Sequence, residues 1–203
     1  MPMVIAGGQS VTDYDKNQIT LLAKAAFTFG VNGAIFAYPC DTCVIMDPLS
    51  LYPALAAEAK RLNIPVVCRN YPGNDKYGID LIEVPMDTIR KYPTSGMAAA
   101  KLSDLLAVKC EGRSSYVIGI DATKGNYPGY HTGKEIENDP HDREDLKMYE
   151  DMRLEKTINL SIHSRVSCWP KISKLPNIKK VVVNTAYKIT AMAWLRAEGK
   201  NLL

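Results

Sequence analysis

Along the first seventy residues, apolar positions come in short unbroken runs, separated by stretches with helical spacing. Residues 3–6 form the first run and read as a buried strand, ended by Gly7, Gly8 and a polar patch. Ile19, Leu22, Ala26 and Phe29 then share one helical face, which predicts a helix capped by Thr12 or Asp13 and stopped at Gly30. Residues 34–38 are a second apolar run, closed by Pro39 and Cys40. Pro53, tolerated in a first turn, opens a helix through PALAAEAKRL, and residues 64–68 form a third strand. Strand, helix, strand, helix, strand at this spacing predicts parallel β-α-β units. The expected fold class is α/β, a Rossmann-like and mostly parallel sheet flanked by helices.

The pattern loosens beyond Asn70. Pro72-Gly73 marks a turn, and residues 79–84 read as a short strand. Ser95-Gly96 opens a helix through MAAAKLSDL, followed by a strand over residues 105–108. A further strand over 116–120, joined to it through Glu111-Gly112-Arg113-Ser114, gives an antiparallel hairpin at the sheet edge. Residues 124–140 are polar and turn-rich, a mobile loop or a lid. A charged amphipathic helix follows from Asp142 to about residue 156, and the chain ends in a helix through TAMAWLRAEG. The expected organisation is a nucleotide-binding core over 1–123, with 124–203 as a loop and helical extension packed on it.

Composition narrows the classes without choosing among them. The 203 residues suit one domain, with an ordinary 46% hydrophobic and 23% charged content. A formal charge of +3 is too small to announce nucleic acid, and no apolar run approaches the ~20 residues of a membrane span. The N-terminus lacks a basic region before an apolar stretch, and the five cysteines follow no compact disulfide spacing. A reducing, cytoplasmic setting is the expectation. The tail from Trp169 carries Lys171, Lys174, Lys179, Lys180, Lys188, Arg196 and Lys200 against a single acid, Glu198. That is a solvated face or a contact between copies in a homo-oligomer. Scattered lysines with only Tyr187 and Trp194 among them disfavour a nucleic-acid partner.

The turn Gly7-Gly8-Gln9-Ser10 carries the clearest chemistry. It lies where the first strand meets a helix, and ligands of doubly wound sheets bind outside the carboxyl ends of strands. Exposed N–H groups and a helix dipole favour a phosphate or carboxylate there, and glycine has no Cβ to hold the ligand off. A plain tight turn is the competing reading. On the same topology Tyr38, Asp41 and Thr42 follow the second strand, Asn70 follows the third, and Ser95 with Gly96 opens a helix. All are candidate ligand contacts. Tyr130 and Lys134 join them if the 124–140 loop closes over the ligand, the aromatic stacking on a base and the ammonium meeting a phosphate.

The stretch VIAGGQSVTDYD, with its helix, strand and second helix ending KRLNIPVV, resembles the SLOG superfamily of small Rossmann-like domains. These include the cytokinin-activating phosphoribohydrolases and DprA-like proteins. The resemblance covers about residues 3–70 and rests on Gly-Gly after the first strand, the Thr/Asp-Tyr helix start and Ile64-Pro65 at the third. It implies binding of nucleotides or nucleotide-derived molecules, with hydrolysis of an N-glycosidic bond in some branches. Where such families place a second glycine-rich loop, this chain reads YPCDTCVIMDPLS, without a glycine. No Pro-Gly-Gly-x-Gly-Thr signature occurs either, which argues against the phosphoribohydrolase reaction in its usual form.

The remaining chemistry-bearing residues leave alternatives open. Cys40 and Cys43 form a CxxC, with Cys68 and Cys110 near other predicted strand ends. Zinc needs four tetrahedral ligands and a redox pair needs a low-pKa thiolate, so burial in the core is the favoured reading. Neither a metal nor a resident cofactor is expected. His131-Thr132 and His163-Ser164 lack the spacing of paired-histidine phosphodiesterase motifs, and His141 suits a helix start. His163-Ser164-Arg165 can touch an anion. Asp121 is a general base, a ribose-hydroxyl acceptor or an ordinary strand-end aspartate, and Asp41 is the other candidate for catalysis. The expected function is binding of a nucleotide-like small molecule, as sensor, carrier or sequestering protein. The alternatives are an N-glycosidic hydrolase or transferase using Asp41 or Asp121, and a nucleic-acid-associated protein.

Overall fold

The computed structural model describes residues 1–110, 113–121, 142–176 and 183–203, with 142–145 as backbone only. Strands β1 (Pro2–Ile5), β2 (Phe27–Val31), β3 (Thr42–Ile45), β4 (Val66–Arg69), β5 (Leu81–Val84), β6 (Ser115–Ile118) and β7 (Thr157–Asn159) form one sheet. Its order is β5-β4-β3-β2-β1-β6-β7, and every pairing is parallel. The α/β, Rossmann-like expectation is met. Helices α1 (Lys16–Ala25), α2 (Pro53–Leu62), α3 (Ser95–Lys109), α4 (Asp142–Asp151) and α5 (Thr185–Ala197) complete the described elements.

Because both faces of the sheet are covered at its centre, β1, β2, β3 and β4 are buried along their whole length without alternation, whereas edge strand β5 alternates and exposes Glu83. Val4 and Ala6 face a core that also takes Phe27, Phe29, Val44 and Val67, with Leu102 and Leu106 of α3 and Trp194 and Leu195 of α5. Met3 and Ile5 face the other way, onto Ile19 and Leu22 of α1, while Cys43 and Cys68 meet Leu55 and Ala59 of α2. Each large aliphatic side chain buried here contributes about 1.5–3 kcal/mol. Helix α3 is buried on nearly all sides, which explains its apolar composition.

Several boundaries depart from the sequence pattern. Helix α1 starts after Asp15, whose carboxylate accepts from Gln18 N–H at 3.0 Å, and ends at Ala25. The next five residues, Phe-Thr-Phe-Gly-Val, are β2, all buried. Gly30 is therefore no helix stop; it sits in the strand, where a Cβ would lie 2.6 Å from Cys40 Sγ. Residues 34–38 are not a strand. They run through a 3-10 turn (Asn32–Phe36) and the two residues after it, with Ala34, Ile35 and Tyr38 buried while Phe36 faces solvent, a turn-like spacing. The expected antiparallel hairpin is absent from the described residues. Residues 105–108 continue α3 because Leu102 and Leu106 stay on one face, and β6 joins β1 in parallel. Helix α4 ends at Asp151, before the expected residue 156.

Strand β7 has only three residues and is held from outside itself. Buried Asp104 of α3 accepts from Glu155 N–H, Lys156 N–H (2.8 Å) and Thr157 Oγ1 (2.9 Å), fixing the start of the strand. Among the described residues no helix is long and apolar enough to cross a membrane.

Candidate functional site

The strand order defines where the sheet opens. From β1 the chain steps outward through β2, β3, β4 and β5, then returns along α3 to place β6 on the other side of β1. Loops leaving β1 and β6 diverge at their carboxyl ends, the switch point at which doubly wound folds bind ligands. The turn Gly7 to Ser10 and the residues Gly119 to Asp121 face each other there.

The protein itself occupies the space that Gly8 leaves open. Gly8 N–H donates to Gly119 O at 2.7 Å, and a Cβ on Gly8 would lie 2.5 Å from that oxygen and 2.6 Å from Asp121 Oδ2. The bare backbone expected to admit a ligand admits a carbonyl and a carboxylate instead. Gly119, at φ 80°, takes the left-handed conformation that this approach needs. Ser10 N–H donates to Asp121 Oδ2 at 2.7 Å. Burial raises the Asp121 pKa above the usual aspartate range, and the Ser10 hydrogen bonds and His163 only partly oppose it. Asp121 is 1% exposed, and its Oδ1 has no partner among the described residues.

The segment after β7 crosses this opening. Ser161 Oγ accepts from Ile120 N–H at 3.1 Å, and Arg165 N–H donates to Asp121 O at 2.8 Å. His163 N–H donates to Ser10 Oγ at 2.9 Å, while its Nε2 meets Asp13 Oδ2 at 2.8 Å. Tyr14 donates its hydroxyl to Leu160 O at 2.9 Å. The ends of β1, β6 and β7 are thus tied into one network with an Asp–His pair at its solvent side.

Ser95 and Gly96 come to the same edge. Thr94 caps α3, Ser95 Oγ accepts from Met46 N–H at 2.9 Å, and buried Arg69 donates to Met46 O at 2.6 Å and Tyr92 O at 2.7 Å. The end of β3 therefore positions the start of α3. A Cβ on Gly96 would lie 2.5 Å from Tyr149 Oη and 3.7 Å from Ile120 Cδ1. The positive end of α3 accordingly lies beside the residue that precedes Asp121.

Tyr38, Asp41 and Thr42 do not belong to this site. Moving the second strand back to 27–31 puts all three before β3, at the opposite edge of the sheet. Asp41 accepts from Thr28 N–H at 2.8 Å and forms an ion pair with Lys188 at 2.8 Å, so it ties the strand starts together. Tyr38 is buried in the core and Thr42 donates to Pro65 O. Asn70 follows β4 at the correct edge, but β3 and β2 separate it from β1, roughly 14 Å at ordinary strand spacing. Tyr130, Lys134, His131 and His141 lie outside the described residues.

The cysteines do not converge. Cys40, Cys43 and Cys68 pack on the α1/α2 side, whereas Cys110 packs on the α3 side. Burial pushes the Cys43 thiol up to about 12 and Cys68 to about 11, the reverse of a reactive thiolate. Among the described residues no group of three or more His, Cys, Asp or Glu is placed to hold a metal ion. In the tail, Lys188 and Arg196 are engaged within the chain, on Asp41 and Asp80.

The pairing of Asp13 with His163 was outside sequence reasoning, although His163-Ser164-Arg165 stood out as an anion contact. Comparison with protein-family models, curated proteins and solved structures returned no match to this chain.

Proposed function

We propose that this chain binds a nucleotide-derived small molecule across the carboxyl ends of β2, β1, β6 and β7. One observation carries the reading. Asn32 Oδ1, Asp121 Oδ1 and Asn159 Nδ2, at the ends of β2, β6 and β7, are buried without a partner among the described residues. Each such atom costs about 1–3 kcal/mol, a cost that a hydrogen-bonding ligand relieves. The polarity suits a nucleotide: the exposed Arg165 can meet a phosphate, and Asp13 can accept from ribose hydroxyls. The resemblance of residues 3–70 to SLOG domains supports the same ligand class. Asp41, on the far edge and paired with Lys188, is not a candidate for N-glycosidic chemistry.

The test is a thermal-shift screen with nucleosides, nucleotides, dinucleotides and inorganic phosphate. A ligand at one hundred times its Kd stabilises by about 2.7 kcal/mol, hence roughly 5–10 °C for a chain of this length. Nucleotides are expected to give that shift and inorganic phosphate much less. No shift with any nucleotide at millimolar concentration overturns the proposal.

A further inference from the structure

We infer that His163 and Asp13 form a proton-transfer couple and that the protein hydrolyses a phosphoester of its ligand, with Arg165 holding the phosphoryl oxygens. The inference rests on the nucleotide reading above and adds turnover to it. His163 is located at two points, its N–H on Ser10 Oγ at 2.9 Å and its Nε2 on Asp13 Oδ2 at 2.8 Å. Ser10 N–H is in turn fixed on Asp121, so the imidazole stands at a set place beside the switch point. The side chain is 43% exposed, and its Nδ1 has no partner among the described residues. A carboxylate on one ring nitrogen selects the tautomer and leaves the other to carry protons. A merely structural ion pair needs no such double fixing.

Arg165 follows two residues later. It is exposed, and its guanidinium has no partner among the described residues, so it is available for a bidentate contact with phosphate. The two nearby carboxylates do not make the mouth repulsive. Asp13 is held by the His163 Nε2–H, the exposed Arg165 guanidinium brings positive charge, and burial favours the neutral form of Asp121.

The step balances with water as its co-reactant. With Nε2–H donating to Asp13, Nδ1 accepts a proton from water. The water oxygen bonds to phosphorus, and the P–O bond to the leaving oxygen breaks with its electron pair. The imidazolium then returns its proton to the leaving oxygen. Asp13 acts as a positioning residue.

The experiment uses the full chain with each nucleotide that shifts its melting temperature, with release of phosphate or nucleoside followed by phosphorus NMR. Bis(p-nitrophenyl) phosphate serves as a chromogenic probe. Wild type is expected to turn over, and His163→Ala and His163→Gln to lose about 100-fold or more in kcat. The second variant keeps a donor toward Asp13 and guards against a folding defect in the first. Asp13→Asn is expected to lower kcat and displace the pH profile, whereas Arg165→Ala raises KM. A ligand that shifts the melting temperature but is returned intact overturns the inference and leaves the binding reading standing. Turnover unchanged in both folded His163 variants overturns it as well. Absence of any nucleotide shift removes the binding reading first.

Discussion

At the amino ends of the strands, α5 lies across the sheet and both of its charges find acids, Lys188 on Asp41 and Arg196 on Asp80. Arg113, just before β6, adds its guanidinium to the same strap, 4.5 Å from the Tyr187 ring centroid. At the carboxyl ends the polar groups turn inward through main-chain bonds, and among the described residues three buried side-chain atoms stay unpaired there, against one, Tyr187 Oη, on the α5 strap. The same sheet thus has one edge whose α5 charges are paired within the chain and one that gathers three of the unpaired buried atoms. Closure at one end provides the rigidity on which an unsaturated site at the other can be held.

The largest effect that this comparison predicts is at Gly8. A branched side chain there meets the Gly119 carbonyl, which is backbone and cannot swing aside. Gly8→Val is expected to cost about 3 kcal/mol, at the upper end for overpacking, and to lower Tm by roughly 6–12 °C. A variant that keeps wild-type stability in urea but loses nucleotide binding would return the turn to direct ligand contact. Next in size is Lys188→Met. Among the described residues it leaves Asp41 with one donor, Thr28 N–H, in a site about one-fifth exposed, at a cost of about 1–2 kcal/mol. Nucleotide shifts should survive it. If they vanish, the two edges are coupled and the division drawn above is wrong.

How much of this was legible depends on how locally each element is specified. Helix α2 was, because Pro53 opens it and Asn63 closes it in the left-handed conformation. Strand β2 was not, because Ala26 and Phe29 happen to continue the helical spacing of Ile19 and Leu22. That one misplacement moved Tyr38, Asp41 and Thr42 from one edge of the sheet to the other. Three-residue β7 has no pattern to read; Asp104, in another helix, sets its start. In the site, the Gly7 to Ser10 turn was visible as a break after an apolar run. Its partners, Asp121 and the Asp13–His163 pair, depend on the strand order that sets β6 and β7 beside β1.

A smaller, pH-dependent effect follows from Asp121. Burial raises its folded pKa above that of the unfolded chain, so the folded state binds the proton more tightly. Stability from this group is complete below the usual aspartate value and is lost as pH rises through the folded one. Asp121→Asn keeps an acceptor for Ser10 N–H and removes the titration. Urea melts from pH 4 to 7 should show wild type losing ground to the variant as pH rises. A difference independent of pH would mean that the carboxylate is stabilised as the anion, and would favour a ligand donor at Oδ1.

The smallest effect separates the two halves of the α5 strap. Arg196 meets Asp80 with both terminal nitrogens, but the two side chains are 44% and 49% exposed. The Arg196 hydrogen bond holds Asp80 below the usual carboxylate range, so its contribution is present at neutral pH and is lost on acidification. Exposed pairs contribute little, so Arg196→Ala is expected to cost about 0.5 kcal/mol at low ionic strength. At 1 M salt the screening length falls to about 3 Å and the difference from wild type should close. The Lys188→Met difference should persist in the same buffer, because that pair is largely shielded and shares its carboxylate with a backbone N–H. Equal salt sensitivity of the two would make the strap one solvated charge contact, and the closed edge no more rigid than the open one.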